Sequence, residues 1–169
     1  MENTAPFEIT DEMLASRGQR FVNYTIDIII QYILYFILII IVFIVNALLG
    51  STSMPDQWFS GFQGTFFFLV FMTFYYTLFE SYFSRSIAKY ITKTMVVMED
   101  GSKPDSSIIL RRSLCRIIPF EAFSFLGYDA RGWHDSLSCT YVVKKEAFER
   151  SRALFDSFEE IGKEQIFEH

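Results

Sequence analysis

The sequence predicts an α-helical membrane protein: a two-transmembrane-helix hairpin with a cytoplasmic-side amphipathic helix and a short two-stranded β ribbon. Three observations carry this. Phe21 to Leu49 holds one charge, Asp27, within long runs of Ile, Leu, Phe, Val and Tyr. Gly61 to Phe83 likewise holds one, Glu80. All 15 Lys and Arg lie outside residues 21–84.

The spans are expected at about 21–49 and 61–84. A hydrocarbon core about 30 Å thick takes roughly 20 apolar residues in a helix, and both stretches are that long. A soluble core helix of this length needs a large shell around it, and the rest of the chain is too short and too polar to supply one. The first stretch also exceeds the roughly 7–15 apolar residues of a signal peptide, and a second span follows, so it is expected to be retained.

Arg17 and Arg20 precede the first span; Arg85, Lys89 and Lys93 follow the second. The connecting loop, Gly50 to Ser60, has no Lys or Arg and one acid, Asp56. The positive-inside rule therefore puts both termini in the cytoplasm and the loop outside, with Trp58 and Phe59 as an interfacial anchor.

Residues 1–12 read as a polar, loosely ordered tail, and residues 13–144 as the membrane domain. The first helix is expected to start near Asp11, and the second to run from about Phe62 to near Ala88. Thr92–Met98 and Ser138–Val143 are β-like runs, each too short to stand alone, so they are expected to pair. Glu99-Asp100-Gly101-Ser102 is a turn signal. Residues 107–127 are apolar but carry Arg111, Arg112, Arg116 and Glu121, together with Pro119. Each charge at bilayer centre costs about 2.5–3.5 kcal/mol, so an interfacial helix is expected, with a third span as the alternative. In that position Arg111, Arg112 and Arg116 would meet anionic lipid headgroups, and they suit lipid better than nucleic acid. Phe120, Phe123, Phe125 and Leu126 would continue the contact beyond Pro119. Residues 145–169 read as a cytoplasmic helical tail, with Phe148, Phe155, Phe158 and Ile161 near one face. No internal repeat is evident.

Asp27 is the sharpest chemical feature. A carboxylate in an apolar span should face protein or water. It reads either as a protonatable or cation-binding group, or as a pin that hydrogen-bonds the cytoplasmic cap to the first helix. Arg20 lies seven residues away and should reach toward the cytoplasm, which leaves Asn23 as the nearer partner. Glu80 is a second ion or proton candidate if it approaches Asp27; otherwise it pairs with Arg85 or Lys89. His134-Asp135 suggests hydrogen bonds that lock the second strand to the membrane helices. A metal site is not expected, because only two histidines exist and the second, His169, is terminal. Cys115 and Cys139 read as small packing residues. No phosphate loop, nucleophile elbow or Cys/His cluster is present, so neither an enzyme nor a cofactor is expected.

Taken together, these residues resemble the RDD family of small bacterial membrane proteins, named for one arginine and two aspartates. Arg20-Phe21 followed by Ile26-Asp27 fits the family's arginine and first aspartate. Asp135, in Trp133-His134-Asp135-Ser136-Leu137-Ser138-Cys139-Thr140-Tyr141-Val142-Val143, fits the second. Phe74-Tyr75-Tyr76, Glu80, Ile87-Ala88-Lys89, Thr92, Val96-Val97 and Asp100-Gly101 resemble the family's link between them. Two departures are Ala88, where the family usually has Gly, and the weak third hydrophobic segment. The resemblance implies a bacterial inner-membrane location and a proposed role in transport of an unknown ligand. Two helices cannot enclose a pathway, so transport implies a homo-oligomer. The alternative from a different class is a non-catalytic accessory or assembly subunit of a larger membrane complex.

Overall fold

The computed structural model describes residues 7–50, 60–124 and 131–167. Two long helices, α1 (Arg17–Leu48) and α2 (Gly61–Phe83), carry a cap made from the remaining elements. These are α3 (Ile87–Ile91), β1 (Thr94–Met98), α4 (Ser106–Cys115), α5 (Glu121–Ser124), α6 (Trp133–Leu137), β2 (Thr140–Lys144) and α7 (Lys145–Phe167). α1 and α2 are both long and apolar enough to cross a membrane.

The first helix starts at Arg17 rather than near Asp11, and a capping box sets that start. The Ser16 hydroxyl accepts from the Gln19 N–H at 3.2 Å, and the Gln19 side chain accepts from the Ser16 N–H at 3.0 Å. Asp11–Met13 forms a separate 3-10 turn. The second helix ends at Phe83, short of Ala88, because Ser84 adopts the left-handed conformation (φ 56°) and closes on the Glu80 carbonyl. Its carbonyl then accepts from the Val96 N–H at 2.9 Å, which ties the helix end to β1.

Burial in α1 is inverted relative to a soluble helix. The residues it buries are all polar: Arg20, Asn23, Asp27 and Gln31. Its apolar residues lie outside, with Phe36 63% and Ile41 51% exposed. A contiguous apolar surface of this kind needs lipid or other helices against it. The uncharged stretch of α1 begins only at Ile28, and from there to Leu48 it rises about 31 Å. The first three turns of α1 therefore belong to the cap.

β1 and β2 pair antiparallel, from Thr94 opposite Lys144 to Met98 opposite Thr140. A lone two-stranded ribbon is marginal in water; this one is covered on both sides. One side packs on the first turns of α1. The other joins Val97 and Val143 to Met13, Phe7 and Phe148. Phe7 is thus a core residue, which corrects the expectation of a loose segment throughout residues 1–12. Gly101 (φ 76°) makes this packing possible: a Cβ there would lie 2.8 Å from the Phe7 ring.

Among the described residues of the 107–127 segment no helix is long enough to span a membrane. α4 has 10 residues, α5 has 4, and α4 packs along α2. Its outward residues Leu110 and Leu114, and Ile117 and Ile118 just beyond its end, are exposed. Trp58, Phe59, Phe125 and Leu126 lie outside the described residues.

The register also reveals a repeat that the sequence reading missed. α3 and β1 (Ile87 to Met98) and α6 and β2 (Trp133 to Lys144) have the same course: a five-residue helix, a left-handed residue, then a five-residue strand. Lys93 and Cys139, both at φ 53°, are the left-handed residues. Thr94 matches Thr140, Val96-Val97 matches Val142-Val143, and the ribbon's register is symmetric about the Val96–Val142 pair.

Candidate ionic site at the base of the hairpin

The site begins with the polar stripe of α1. Residues 20, 23, 27 and 31 recur at helical spacing, so they share one face, and that face receives the cap. Asn23 donates to the Thr94 hydroxyl at 3.0 Å and accepts from Thr92 at 2.5 Å. It pins β1 and does not bond Asp27. The Asp27 carboxylate accepts from Tyr75 Oη at 3.0 Å, Ser86 Oγ at 2.5 Å and the Ala88 N–H at 3.1 Å. It caps the start of α3 from another helix. No tight turn is needed at Ala88, and its fully buried methyl is accommodated.

Glu80 and Asp135 are the other two centres. Glu80 accepts from Lys89 Nζ at 2.5 Å, Arg112 Nε at 2.9 Å and Arg116 Nη2 at 3.4 Å. Asp135 is paired by Arg20 and by Arg112, and Arg112 also donates to Thr140 Oγ1 at 2.6 Å. Arg112 is thereby the bridge between α2, α6 and β2. Its full burial corrects the expectation of a headgroup contact. Arg116 is also drawn inward, with its guanidinium 3.9 Å over the Tyr76 ring and its side chain 10% exposed. Of the three arginines, Arg111 alone is exposed.

The repeat organises this chemistry. Lys89 and Asp135 occupy equivalent positions with opposite charge, each paired to a charged residue of a packed helix. Asp27 caps α3, and Glu121 stands in the same relation to α6, within 3.4 Å of the His134 N–H and in contact with Nδ1. With His134 neutral the buried centre balances: Arg20, Lys89, Arg112 and Arg116 against Asp27, Glu80, Glu121 and Asp135. Such a set is tolerable in a low-dielectric place only when each member is paired.

Burial raises the Asp135 carboxyl, but Arg112 and Arg20 beside it more than reverse that and hold it well below the usual carboxylate range. Burial pulls the Lys89 ammonium below its ordinary value, with Glu80 opposing. Burial, reinforced by Arg116, lowers His134 to about 4. The unfolded chain takes up that proton near 6.5, so stability is present above 6.5 and is lost on acidification toward 4. The expected loss is on the order of 3 kcal/mol. A denaturation series in detergent between pH 7 and 4 checks this, and His134→Gln should flatten the profile there.

A cavity of about 30 Å³ lies inside the cluster, room for one or two water-sized particles. Its charged lining is Arg20, Lys89, Arg112 and Arg116, with the acids Asp27 and Glu121. Asp27 and Glu80 thus belong to one network without bonding each other. Sequence reasoning missed Glu121, Ser86 and the bridging role of Arg112. The signal for part of it was the repeated Thr-x-Val-Val at residues 94 and 140. Among the described residues no cluster suited to a metal ion occurs.

The architecture is thus a pair of helices long and apolar enough to cross a membrane, joined at one end by a buried ionic cap. The RDD family model matches residues 14–142, most of the chain, and the protein belongs to the RDD family. No curated protein and no solved structure matches it.

Proposed function

We propose that this protein is a two-span, non-catalytic protein of the bacterial inner membrane, with both termini cytoplasmic, that works as an oligomer to move an ion or small solute. The observation that carries this reading is the charged, cavity-bearing centre lodged where the uncharged spans begin. A buried set of charges is costly to keep, and one that surrounds a cavity at the mouth of the spans is a candidate for ion handling. The placement of every Lys and Arg outside residues 21–84 supports the orientation. Arg111, beside the exposed Leu110, Leu114 and Phe120, supports an interfacial seat for α4 on anionic lipid.

Asp27 is not the ion ligand in this reading. Three donors already occupy its oxygens, so its part is to hold α3, and the arginine-lined cavity becomes the candidate site. The exposed flanks of α1 and α2 leave room for the neighbours that a pathway requires.

The second reading, an accessory or assembly subunit, is favoured by α7. Phe155 packs on Phe7, while Leu154, Phe158 and Ile161 form an exposed apolar row. Flux in proteoliposomes separates the two. Native protein should pass an ion that Arg116→Gln, at matched insertion, passes at least tenfold more slowly. No flux of protons, Na⁺, K⁺ or chloride in the native protein would contradict transport and turn the search to a partner complex.

A further inference from the structure

The cavity's lining decides the sign of its occupant. Four of its charged residues are cations and two are acids. Asp27 is engaged at both oxygens by its three donors, and Glu121 at Oε1 by His134 and Ser124. The other two carboxylates, Glu80 and Asp135, do not line the cavity. They draw the arginines from behind.

On the cationic side, donors are left over. Arg20 Nε, Arg112 Nη2 and Arg116 Nε are shielded from solvent and have no hydrogen-bond partner. All three residues line the cavity, and the first two are 7% and 0% exposed. A buried guanidinium N–H without an acceptor is expensive. The charges of the centre balance, but the buried side-chain atoms left without a partner among the described residues lining this cavity are all guanidinium nitrogens. Unpartnered donors favour an occupant that only accepts, and an anion has no protons of its own to place.

We propose that this cavity binds one small monovalent anion of halide size, held by the guanidinium groups of Arg20, Arg112 and Arg116. The proposal names the class of ion for the transport reading and rests on that reading only for its physiological use; binding stands or falls separately. A space of about 30 Å³ is enough for a halide.

The test uses the full chain in detergent, in sodium gluconate at constant ionic strength, titrated with sodium bromide. The expected result is a saturable rise in the thermal unfolding midpoint, unchanged when Na⁺ is replaced by N-methylglucamine. Crystals grown in bromide should show one anomalous peak among the three arginines. Arg116→Gln should weaken the midpoint response at least tenfold, and if that variant does not fold, the bromide position in the native protein decides. No saturable response, a response that follows the cation, or a cavity holding only water would overturn the proposal. Bromide binding without flux would retain this site and remove the transport reading; flux without bromide binding would do the reverse.

Discussion

Arg112→Met is expected to destabilise the folded protein by about 3–5 kcal/mol, the usual cost of removing one member of a buried charge set. Nothing at the surface changes. The loss arises because Arg112 alone links Glu80 on α2 to Asp135 on α6 and Thr140 on β2. Without it Glu80 retains Lys89 and Arg116, and Asp135 retains Arg20, but α2 loses its bridge to α6 and β2. The neighbouring Arg111→Met supplies the control. That side chain is exposed, so its removal should stay within about 0.5 kcal/mol. Chemical denaturation of both variants in the same detergent makes the comparison, and equal effects would contradict the bridge. Combining Arg112→Met with Asp135→Asn should be markedly less than additive, because the two side chains act on one network.

Asp27→Ala has the second large effect, expected at about 3 kcal/mol or more. Three donors would lose their acceptor: the Tyr75 hydroxyl, the Ser86 hydroxyl and the Ala88 amide. Each stranded donor costs about 1–3 kcal/mol unless water reaches it. Asp27→Asn keeps a carbonyl oxygen for part of this set and should fall between the native protein and Ala. The damage should be local first, because Asp27 supplies the cap of α3. Hydrogen exchange at residues 87–91 reports it directly. Protection lost there before the β ribbon opens is the expected pattern; protection retained in the Ala variant would show that α3 is held by something else.

Much of the architecture was legible in the sequence, for a simple reason. Lipid-facing helices show an unbroken apolar composition, and that signal survives in one dimension. The two long helices, the ribbon and the turn at Asp100-Gly101 all follow from local composition. The helix limits are not legible in composition. Ser16 and Gln19 set the first limit through a reciprocal cap, and the left-handed Ser84 set the second; both depend on backbone geometry that composition does not record.

The site was harder. Asp27, Glu80, Arg20, Lys89, His134 and Asp135 stood out as polar groups in an apolar setting, and all six are buried in the cluster. Arg112 did not stand out. Its sequence environment, Leu-Arg-Arg-Ser-Leu, is that of any amphipathic interfacial helix. Which of Arg111 and Arg112 turns inward depends on the rotation of α4 against α2, a tertiary property. The repeat of α3 with β1 in α6 with β2 escaped notice because few residues match. Its sign is the Thr-x-Val-Val spacing, and its meaning appears only when the strands pair about Val96 and Val142.

The central claim, a hairpin crossing the membrane twice with the ionic cap on the cytoplasmic side, is tested most directly by cysteine accessibility. In a chain with Cys115 and Cys139 replaced by Ser, Ser53→Cys and Glu149→Cys are introduced one at a time. Intact cells are treated with a membrane-impermeant maleimide. The account predicts that Ser53→Cys labels from outside, whereas Glu149→Cys labels only after lysis. Labelling of Glu149→Cys in intact cells, or recovery of the protein in the soluble fraction, would contradict it.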